Sequence, residues 1–276
     1  MSYHVLARKW RPQSFKEMVG QEHVLRPLIN ALDNERLHHA YLFTGTRGVG
    51  KTTIARILAK CLNCESGISS SPCNECSSCV EVLEGRSVDV LEIDAASRTK
   101  VEDTRELLEN VQYRPARSTF KIYLIDEVHM LSGHSFNALL KTLEEPPPHV
   151  KFLLATTELQ KLPATVLSRC LQFCLKNMPQ DQIISHLKKV LSSENINYEE
   201  SALSDLARAG AGSMRDALSL TDQAISFGSG EVFAKDVQIM LGAVERQKIL
   251  MLLEAVMEES PREALKIIEQ MSENAP

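Results

Sequence analysis

The sequence lacks any long apolar segment. Its opening, MSYHVLARKWRPQSF, contains no apolar stretch of signal-peptide length. No other run approaches the roughly eighteen apolar residues that a membrane-spanning helix needs. We therefore expect a cytoplasmic protein without a membrane partner. In that reducing compartment disulfides are disfavoured, so clustered thiols indicate metal or redox chemistry.

An excess of basic residues is also missing. The formal net charge is -5 and the pI is about 5.9, which argues against a generally basic nucleic-acid-binding protein. Any contact with DNA or RNA must then come from a local patch. The sequence shows no internal repeat and no low-complexity segment. With 276 residues, of which 43% are hydrophobic, the chain can form two domains with buried cores and part of a third.

Short apolar segments alternate with helical patterns up to about residue 179. The segments that read as strands are apolar and bounded by turn residues, and they span 40–45, 88–95, 121–127 and 150–157. This alternation predicts an α/β fold, a mostly parallel sheet with helices on both faces. We expect this first domain to span residues 1–179.

The strand patterns stop after residue 179. Helical segments at 182–195 and 199–210 predict a smaller helical domain over 180–243. The last stretch, 244–276, also reads as helices and ends abruptly. We expect it to be the start of a further helical domain.

A phosphate-binding loop stands between a predicted strand and a predicted helix. The segment Gly45–Thr52, GTRGVGKT, matches G-x-x-x-x-G-K-[ST] and lies between AYLFTG and KTTIARILAKCL. Glycines let backbone N–H groups face phosphates, Lys51 would reach the β and γ oxygens, and Thr52 would offer its hydroxyl to Mg²⁺. The alternative is a glycine-rich turn with a solvated lysine, which leaves the flanking strand and helix unexplained.

Two carboxylates end the third predicted strand. In IYLIDEVHM, the apolar residues are followed by Asp126 and Glu127. Asp126 would hold Mg²⁺, directly or through water, and Glu127 would orient and activate an attacking water. Two acids at a strand end are also common on protein surfaces. Together with the phosphate-binding loop, they predict hydrolysis of a nucleoside triphosphate.

Five of the seven cysteines lie between residues 61 and 79. Four of them, Cys64, Cys73, Cys76 and Cys79, form C-x8-C-x2-C-x2-C, and the two short spacings are typical of zinc sites. Four thiolates would close a tetrahedral shell, so we expect a structural Zn²⁺ module at about residues 61–80. A redox C-x-x-C pair is the alternative, although it needs only two cysteines.

The remaining thiols and imidazoles have no ligand spacing. Cys61, Cys170 and Cys174 are predicted to be packed thiols. The histidines, His129 among them, lack partners at ligand spacing and are predicted to be structural or surface residues.

Longer segments resemble a known family. They are HHAYLFTGTRGVGKTTIARILAK, LEIDAASRTKVEDTREL, YLIDEVHMLSGHSFNALLKTLEEPP and FLLATTELQKLPATVLSRCLQF. Together they resemble the gamma/tau subunit family of the bacterial DNA polymerase III clamp loader, whose members are AAA+ ATPases. The resemblance runs from residue 1 to about 243.

The resemblance implies a fold, an activity and partners. It implies an AAA+ P-loop NTPase domain with a zinc-binding insertion, a small helical lid domain at 180–243 and the beginning of a collar or oligomerisation domain at 244–276. The implied activity is that of an ATPase within the DNA polymerase III holoenzyme, which opens a sliding clamp and leaves it around primed DNA. The implied partners are the clamp, primed DNA and other clamp-loader subunits in a hetero-pentamer. This chain by itself is expected to be monomeric.

The resemblance also implies roles for residues outside the loop. LLATTE offers Thr156 and Thr157 as the first sensor of the γ-phosphate, and alternation and motif position favour Thr157, although a strand-end threonine also suits β-propensity alone. Arg169 in LSRCLQF would act in trans, as a finger in a neighbour's ATP site, although such an arginine is usually in a surface salt bridge. Arg215, in the first turn of a helix capped by Ser213, would be the second sensor.

The nucleotide-binding set implied by the resemblance extends beyond the loop. Ala7, Arg11 and Pro12 would line the adenine and ribose pocket, and Trp10 is expected to pack. The full expected set is Ala7, Arg11, Pro12, Gly45, Thr46, Arg47, Gly48, Val49, Gly50, Lys51, Thr52, Thr53 and Arg215.

The best candidate for DNA contact is the segment SRTKVEDTREL. Thr99 and Glu102 have the spacing of a capping box, so free backbone N–H groups could meet a phosphate together with Arg98 and Lys100. The acids that follow argue against a broad basic face. A few phosphate contacts in each subunit would suffice if several subunits follow one duplex.

Other functions compete with the clamp-loader motor. A zinc-stabilised scaffold that binds nucleotide without turnover would not need Lys51, Thr52, Asp126 and Glu127, which are all present. A P-loop kinase would need an acceptor-substrate pocket, for which there is no sequence signature. A Holliday-junction helicase motor would need DNA-pumping elements that the sequence does not show.

Overall fold

A computed structural model describes residues 5–97, 110–242, 246–258 and 260–272. These residues form two compact units. The first is an α/β unit, Arg11–Met178. The second is a helical unit that combines the residues before Arg11 with those from Pro179 onward.

One parallel sheet forms the centre of the α/β unit. Its strands are β1 Ala40–Thr44, β2 Val90–Asp94, β3 Lys121–Asp126, β4 Val150–Thr156 and β5 Leu171–Cys174. They are arranged in the order β2-β3-β4-β1-β5, and all neighbouring pairs are parallel. All residues of β1 and β4 are buried, as expected when helices cover both faces. The predicted α/β class is confirmed.

The edge strand β5 was not among the predicted strands. It has four residues, and only Phe173 is buried while its neighbours are exposed. A strand this short and this exposed has too little apolar pattern to stand out in the sequence. Its pairing with β1 nevertheless extends the sheet by one strand.

Helices and short 3-10 turns cover the sheet. The helices are α2 Glu22–Asp33, α3 Lys51–Asn63, α4 Ser77–Glu84, α5 Gly133–Glu144 and α6 Ala164–Leu167, after α1 Leu6–Lys9 in the helical unit. The 3-10 turns are Phe15–Glu17, Asn110–Gln112, Val128–Met130 and Leu159–Lys161. Successive side chains of β1 point to opposite faces. Phe43 packs in one core with Leu58 of α3, and Leu42 packs in the other with Leu139 of α5.

The helical unit contains the helices α7 Gln180–Ser193, α8 Glu200–Ala209, α9 Met214–Phe227, α10 Ala234–Met240, α11 Arg246–Met257 and α12 Pro261–Ser272. The apolar stripes of α7 and α8 form its buried interior, with Leu187 and Leu206 fully buried. The predicted N-cap is confirmed, because the Ser213 side chain accepts a hydrogen bond from the backbone N–H of Asp216 at 3.2 Å.

The first described residues belong to the helical unit, whereas the predicted first domain starts at residue 1. Leu6 is buried, and its backbone N–H donates to the Asp222 carboxylate at 2.8 Å. The indole N–H of Trp10 donates to Glu194 at 2.7 Å. These bonds tie residues that are far apart in sequence, so no local pattern could have placed this segment. The predicted division at 243 stays a prediction.

Within the described parts of the chain, no helix is both long enough and apolar enough to cross a membrane. The cytoplasmic location stays a prediction. The predicted DNA patch of Arg98, Thr99 and Lys100 lies outside the described residues.

Candidate nucleotide site and cysteine module

Glycines give the phosphate-binding loop its shape. Gly45, Gly48 and Gly50 have φ values of +140°, +77° and +108°, which favour glycine strongly. A Cβ atom on Gly45 would lie 2.6 Å from the carbonyl oxygen of Leu175. The loop therefore needs glycine at position 45 both for its backbone angle and for its close approach to the backbone of Leu175.

Lys51 begins α3 and returns its side chain to the loop. Its ammonium donates to the carbonyl oxygens of Gly45 at 2.9 Å and Thr46 at 2.8 Å. The residue is 5% exposed. Burial lowers the pKa of Lys51, while the charges of Glu127 and Asp126 oppose that shift. The loop thus holds a cation near the place where a phosphate would enter.

Thr52 and Asp126 lie together at the carboxyl edge of the sheet. The Thr52 hydroxyl donates to the Asp126 carboxylate at 2.7 Å, which joins the first turn of α3 to the end of β3. Hydroxyl and carboxylate oxygens are the hard ligands that Mg²⁺ prefers. These two residues therefore fit the predicted magnesium site.

Glu127 follows Asp126 with a left-handed backbone, at φ +47°. Its Oε2 atom accepts hydrogen bonds from the Thr157 backbone N–H at 3.0 Å and from the Thr157 hydroxyl at 2.8 Å. The structure thus brings together the predicted water-activating carboxylate and the predicted first sensor. Their chemical roles stay predictions.

His129, predicted to be structural or surface, lies beside Glu127. Its Nδ1 atom is 2.9 Å from the Thr156 hydroxyl and 3.4 Å from Oε2 of Glu127. Its Nε2 atom is 3.2 Å from Oε1 of Glu158. The only sequence signal for this arrangement is the position of His129 two residues after Glu127, because its other partners lie at the end of β4 and just after it.

The remaining predicted nucleotide residues are divided between the two units. In the α/β unit, the Arg11 guanidinium donates to the Thr53 hydroxyl at 3.2 Å, next to Thr52. In the helical unit, Ala7 lies in α1 and Arg215 is exposed near the start of α9. The Arg215 guanidinium makes no hydrogen bond or ion pair within the described ranges.

Arg169 follows the short helix α6 in the α/β unit. Its guanidinium donates to the Thr165 carbonyl at 2.7 Å and to the Glu144 carboxylate at 2.8 Å. The Glu144 side chain is 53% exposed, so this ion pair contributes little stability. A weakly held surface guanidinium can exchange one anion for another.

The four clustered cysteines converge on one point. The sulfur atoms of Cys64, Cys73, Cys76 and Cys79 all lie within 4.8 Å of one another. A tetrahedral Zn²⁺ site with bonds of about 2.3 Å would place them about 3.8 Å apart. Backbone N–H groups also point at the sulfurs: Cys76 N–H donates to Cys73 at 3.3 Å and Cys79 N–H donates to Cys76 at 3.4 Å. The donor set and its spacing fit a structural zinc site.

The surroundings of the sulfurs differ. Hydrogen bonds from the backbone N–H groups of Glu75 and Cys76 lower the pKa of Cys73 to about 6. Burial raises the pKa of Cys79. A metal would therefore find one ligand that ionises readily near neutral pH and another that must release its proton on binding.

Two of the cysteines outside the cluster are packed, as predicted. Burial raises the pKa of Cys61 and of Cys170 to about 12 in both cases, so both are unreactive thiols near neutral pH. Cys174 is exposed, and its prediction as a packed thiol was wrong. It lies at the end of the edge strand β5, where one side of the chain faces solvent.

The fold and the site together define a P-loop ATPase of the AAA+ class, a parallel sheet with a phosphate-binding loop and an acidic strand end at one edge. Residues 20–179 match the family described as DNA polymerase III, delta subunit. Residues 182–230 match the DNA polymerase III clamp loader subunit, ATPase lid domain.

Curated relatives give the particular family. The chain is 63% identical to DNA polymerase III subunit tau of Escherichia coli (strain K12), over 98% of this chain and 42% of the relative. It is 55% identical to DNA polymerase III subunit gamma of Buchnera aphidicola subsp. Baizongia pistaciae, over 92% of this chain and 68% of the relative. This chain belongs to the gamma/tau subunit family of DNA polymerase III. It spans less than half the length of the Escherichia coli relative.

A solved structure shows the same fold at greater distance. The Thermotoga maritima RuvB Holliday junction branch migration motor superposes with a TM-score of 0.62 and 21% identity, over 90% of this chain and 79% of that one. At that identity the similarity shows the fold alone.

Proposed function

We propose that this chain hydrolyses ATP as a motor subunit of the clamp loader that places the sliding clamp on primed DNA. The observation that carries the proposal is the contact of Thr52 with Asp126, at 2.7 Å, beside the buried ammonium of Lys51. This arrangement supplies a cation for the β and γ phosphates and two oxygen ligands for Mg²⁺. Membership of the gamma/tau family supports the same function.

Each residue at the edge of the sheet has a chemical task. The loop N–H groups and Lys51 bind and orient the phosphates of ATP, and Thr52 and Asp126 would hold Mg²⁺. The metal supplies positive charge for the transferred phosphoryl group. Glu127 accepts the proton of the attacking water, and Thr157 orients both Glu127 and the γ-phosphate.

The site requires a second subunit. We place Arg169 in the ATP site of a neighbouring chain, where its guanidinium would stabilise negative charge that develops on the phosphoryl oxygens. The exposure of its partner Glu144 supports this role, because the weak ion pair can be replaced by a phosphate. Arg215 would act as a second sensor in its own chain, and Ala7, Arg11 and Pro12 would bind the adenine and ribose.

The proposed partners are other clamp-loader subunits in a hetero-pentamer, the sliding clamp, and primed DNA bound through its phosphates by Arg98, Thr99 and Lys100. The helices α11 and α12 pack against each other and expose Leu253, Val256, Leu265 and Ile268. Such apolar surface suits an oligomerisation domain. We assign this role to residues 244–276.

We also propose that Cys64, Cys73, Cys76 and Cys79 bind one structural Zn²⁺. The convergence of the four sulfurs supports this assignment. All four tetrahedral positions would be filled by protein, so the metal would not take part in ATP hydrolysis.

The test is to reconstitute the full-length protein with the other clamp-loader subunits and to measure ATP hydrolysis and clamp loading together. We expect hydrolysis to rise when both clamp and primed DNA are added, and Glu127→Gln to abolish the rise while ATP remains bound. Stimulation by a Holliday junction instead of clamp and primed DNA would favour a branch-migration motor. Absence of stimulation by any DNA, with ATP bound, would favour a nucleotide-binding scaffold.

A further inference from the structure

His129 links the catalytic strand ends of β3 and β4. The residue lies in the 3-10 turn Val128–Met130, which directly follows Glu127. The imidazole is nearly inaccessible, with 5% of its side chain exposed. A buried imidazole with polar neighbours on both nitrogens is held in one orientation.

The first partner of His129 is at the end of β4. Its Nδ1 atom is 2.9 Å from the hydroxyl of Thr156, which is fully buried. The same hydroxyl accepts the backbone N–H of Glu158 at 3.1 Å. Thr157, which donates two hydrogen bonds to Glu127, lies between these two residues. The imidazole therefore contacts the two residues that flank Thr157, which in turn binds the Glu127 carboxylate.

The second partner lies on the side away from Glu127. The Nε2 atom is 3.2 Å from Oε1 of Glu158, and Lys161 binds the same carboxylate oxygen at 2.9 Å. Glu158 is thereby fixed from two directions. The imidazole ring consequently cannot turn without breaking contacts at both of its nitrogens.

Glu127 needs such support because of its backbone. A non-glycine residue at φ +47° is in an unfavourable conformation that persists only where the surroundings enforce it. Oε2 is held by Thr157, and Oε1 makes no hydrogen bond to any part of the protein that the structure describes. One oxygen is thus positioned by protein and the other is available to a water.

We propose that His129 is a positioning residue for Glu127. Its Nδ1 contact with Thr156 keeps the turn after β3 at a fixed distance from the end of β4, and so keeps Oε2 of Glu127 on Thr157 and Oε1 toward the attacking water. The contact of Nε2 with Glu158 only holds the ring in that orientation. This inference rests on the proposed hydrolysis of ATP at Glu127.

The first test uses side chains that replace one nitrogen at a time. His129→Asn retains a polar group near Nδ1, within reach of Thr156, and His129→Gln retains one near Nε2, within reach of Glu158. In the full assembly we expect His129→Ala and His129→Gln to lower turnover roughly ten- to hundredfold, the scale of a small misplacement of a catalytic group, with unchanged ATP affinity. His129→Asn should recover most of the turnover.

Two further variants serve as a partner test and a control. Thr156→Val removes the hydroxyl with little change of volume and should reproduce the loss seen in His129→Ala. His134→Asn is the matched control, since His134 is exposed in the first turn of α5 and makes no hydrogen bond or ion pair within the described ranges. Full turnover of His129→Ala, or rescue by Gln and not by Asn, would overturn the inference.

A second readout does not depend on ATP hydrolysis. In this chain, the NMR shift of the Thr157 amide proton reports the bond from Thr157 N–H to Glu127, and Glu127→Ala provides the reference for its loss. We expect His129→Ala to move this resonance toward the reference and His134→Asn to leave it in place. An unmoved Thr157 amide in His129→Ala would refute the positioning role. If the amide moves but wild-type assemblies do not hydrolyse ATP, the proposed function fails and the positional link stands.

Discussion

The phosphate-binding loop and the cysteine module lie at opposite ends of the helix α3, and they obtain their shapes by different means. At the start of α3, glycines with positive φ shape the loop, and its carbonyl oxygens hold Lys51. At the end of α3, Cys64 begins a module in which side-chain sulfurs accept the backbone N–H groups. Backbone conformation thus shapes the loop, whereas side-chain sulfurs shape the module.

The largest effect should come from Lys51→Ala. We expect this change to abolish tight ATP binding, because it removes the cation that meets the β and γ phosphates, while the glycine-shaped loop and the fold remain. Glu127→Gln should retain binding and remove hydrolysis. Calorimetric titration with ATP and phosphate release measure the two properties separately, and circular dichroism checks folding. Equal loss of ATP binding in both variants would contradict the separate roles.

Next in size is the expected effect of Arg169→Ala. If Arg169 serves a neighbouring subunit as proposed, the ATP site needs two chains, whereas the four cysteines all come from one. This chain alone should bind ATP with the same affinity in either form and hydrolyse it very slowly. In the full assembly, Arg169→Ala should lower turnover about a thousandfold, the scale at which arginine fingers act.

Mixed assemblies provide the control for Arg169. An Arg169→Ala subunit and a Lys51→Ala subunit each lack a different half of the shared site. Together they should recover some hydrolysis at interfaces that join an intact loop to an intact arginine. Full hydrolysis by a monomeric chain, lost on Arg169→Ala, would instead place the arginine in its own chain's site.

The phosphate-binding loop could be predicted from the sequence because its shape depends on local properties of the chain. Gly45 and Gly50 permit the positive φ angles of the loop. Lys51 lies close enough in sequence for its ammonium to bind the loop carbonyl oxygens. The central strands were readable because β1 and β4 are buried along their whole length. The predicted α/β fold is confirmed by the parallel sheet, and the predicted family is confirmed by the matching family models and relatives.

Long-range contacts could not be read in that way. His129 contacts Thr156 and Glu158, which adjoin Glu127 only because β3 and β4 are neighbours in the sheet. Leu6 is tied to Asp222, and no periodicity connects residues so distant in sequence. The edge strand β5 is too exposed to show an apolar pattern.

The next prediction concerns the cysteine module at the end of α3 and the zinc that we propose it binds. The purified chain should contain about one zinc per molecule, and Cys76→Ser should lower the free energy of unfolding by about 3 kcal/mol or more, since loss of a structural metal is among the largest single-residue effects. ATP affinity should change far less, because glycines shape the loop. Metal analysis and denaturant unfolding measure these outcomes, with exposed Cys174→Ser as the control. A reduced, folded sample without zinc would refute the assignment.

The smallest expected effect concerns Asp89, whose carboxylate holds a loop through hydrogen bonds to its backbone. Asp89 is 2% exposed and accepts the backbone N–H groups of Ala116, Arg117 and Ser118 at 2.6, 2.9 and 2.9 Å, as the cysteine sulfurs accept theirs. Burial alone would raise the pKa of Asp89, but these bonds outweigh it and lower the pKa. Its carboxylate therefore shapes a loop by hydrogen bonding alone.

Asp89→Asn should lower the free energy of unfolding by about 1–3 kcal/mol at pH 7, because the amide turns a donor toward N–H groups that need an acceptor. The pKa of Asp89 is lowered in the folded state, so its contribution is complete above the unfolded pKa of about 3.9 and is lost as the pH falls through the lower folded pKa. Urea unfolding of wild type and variant, measured in parallel between pH 3 and 7 so that any release of metal from the cysteines affects both alike, should thus show less acid dependence in the variant. The control is Asp94→Asn, at an exposed carboxylate that accepts one backbone N–H at 3.0 Å. If Asp89→Asn matches wild type throughout, the hydrogen bonds of this carboxylate do not stabilise the loop at Ala116, Arg117 and Ser118.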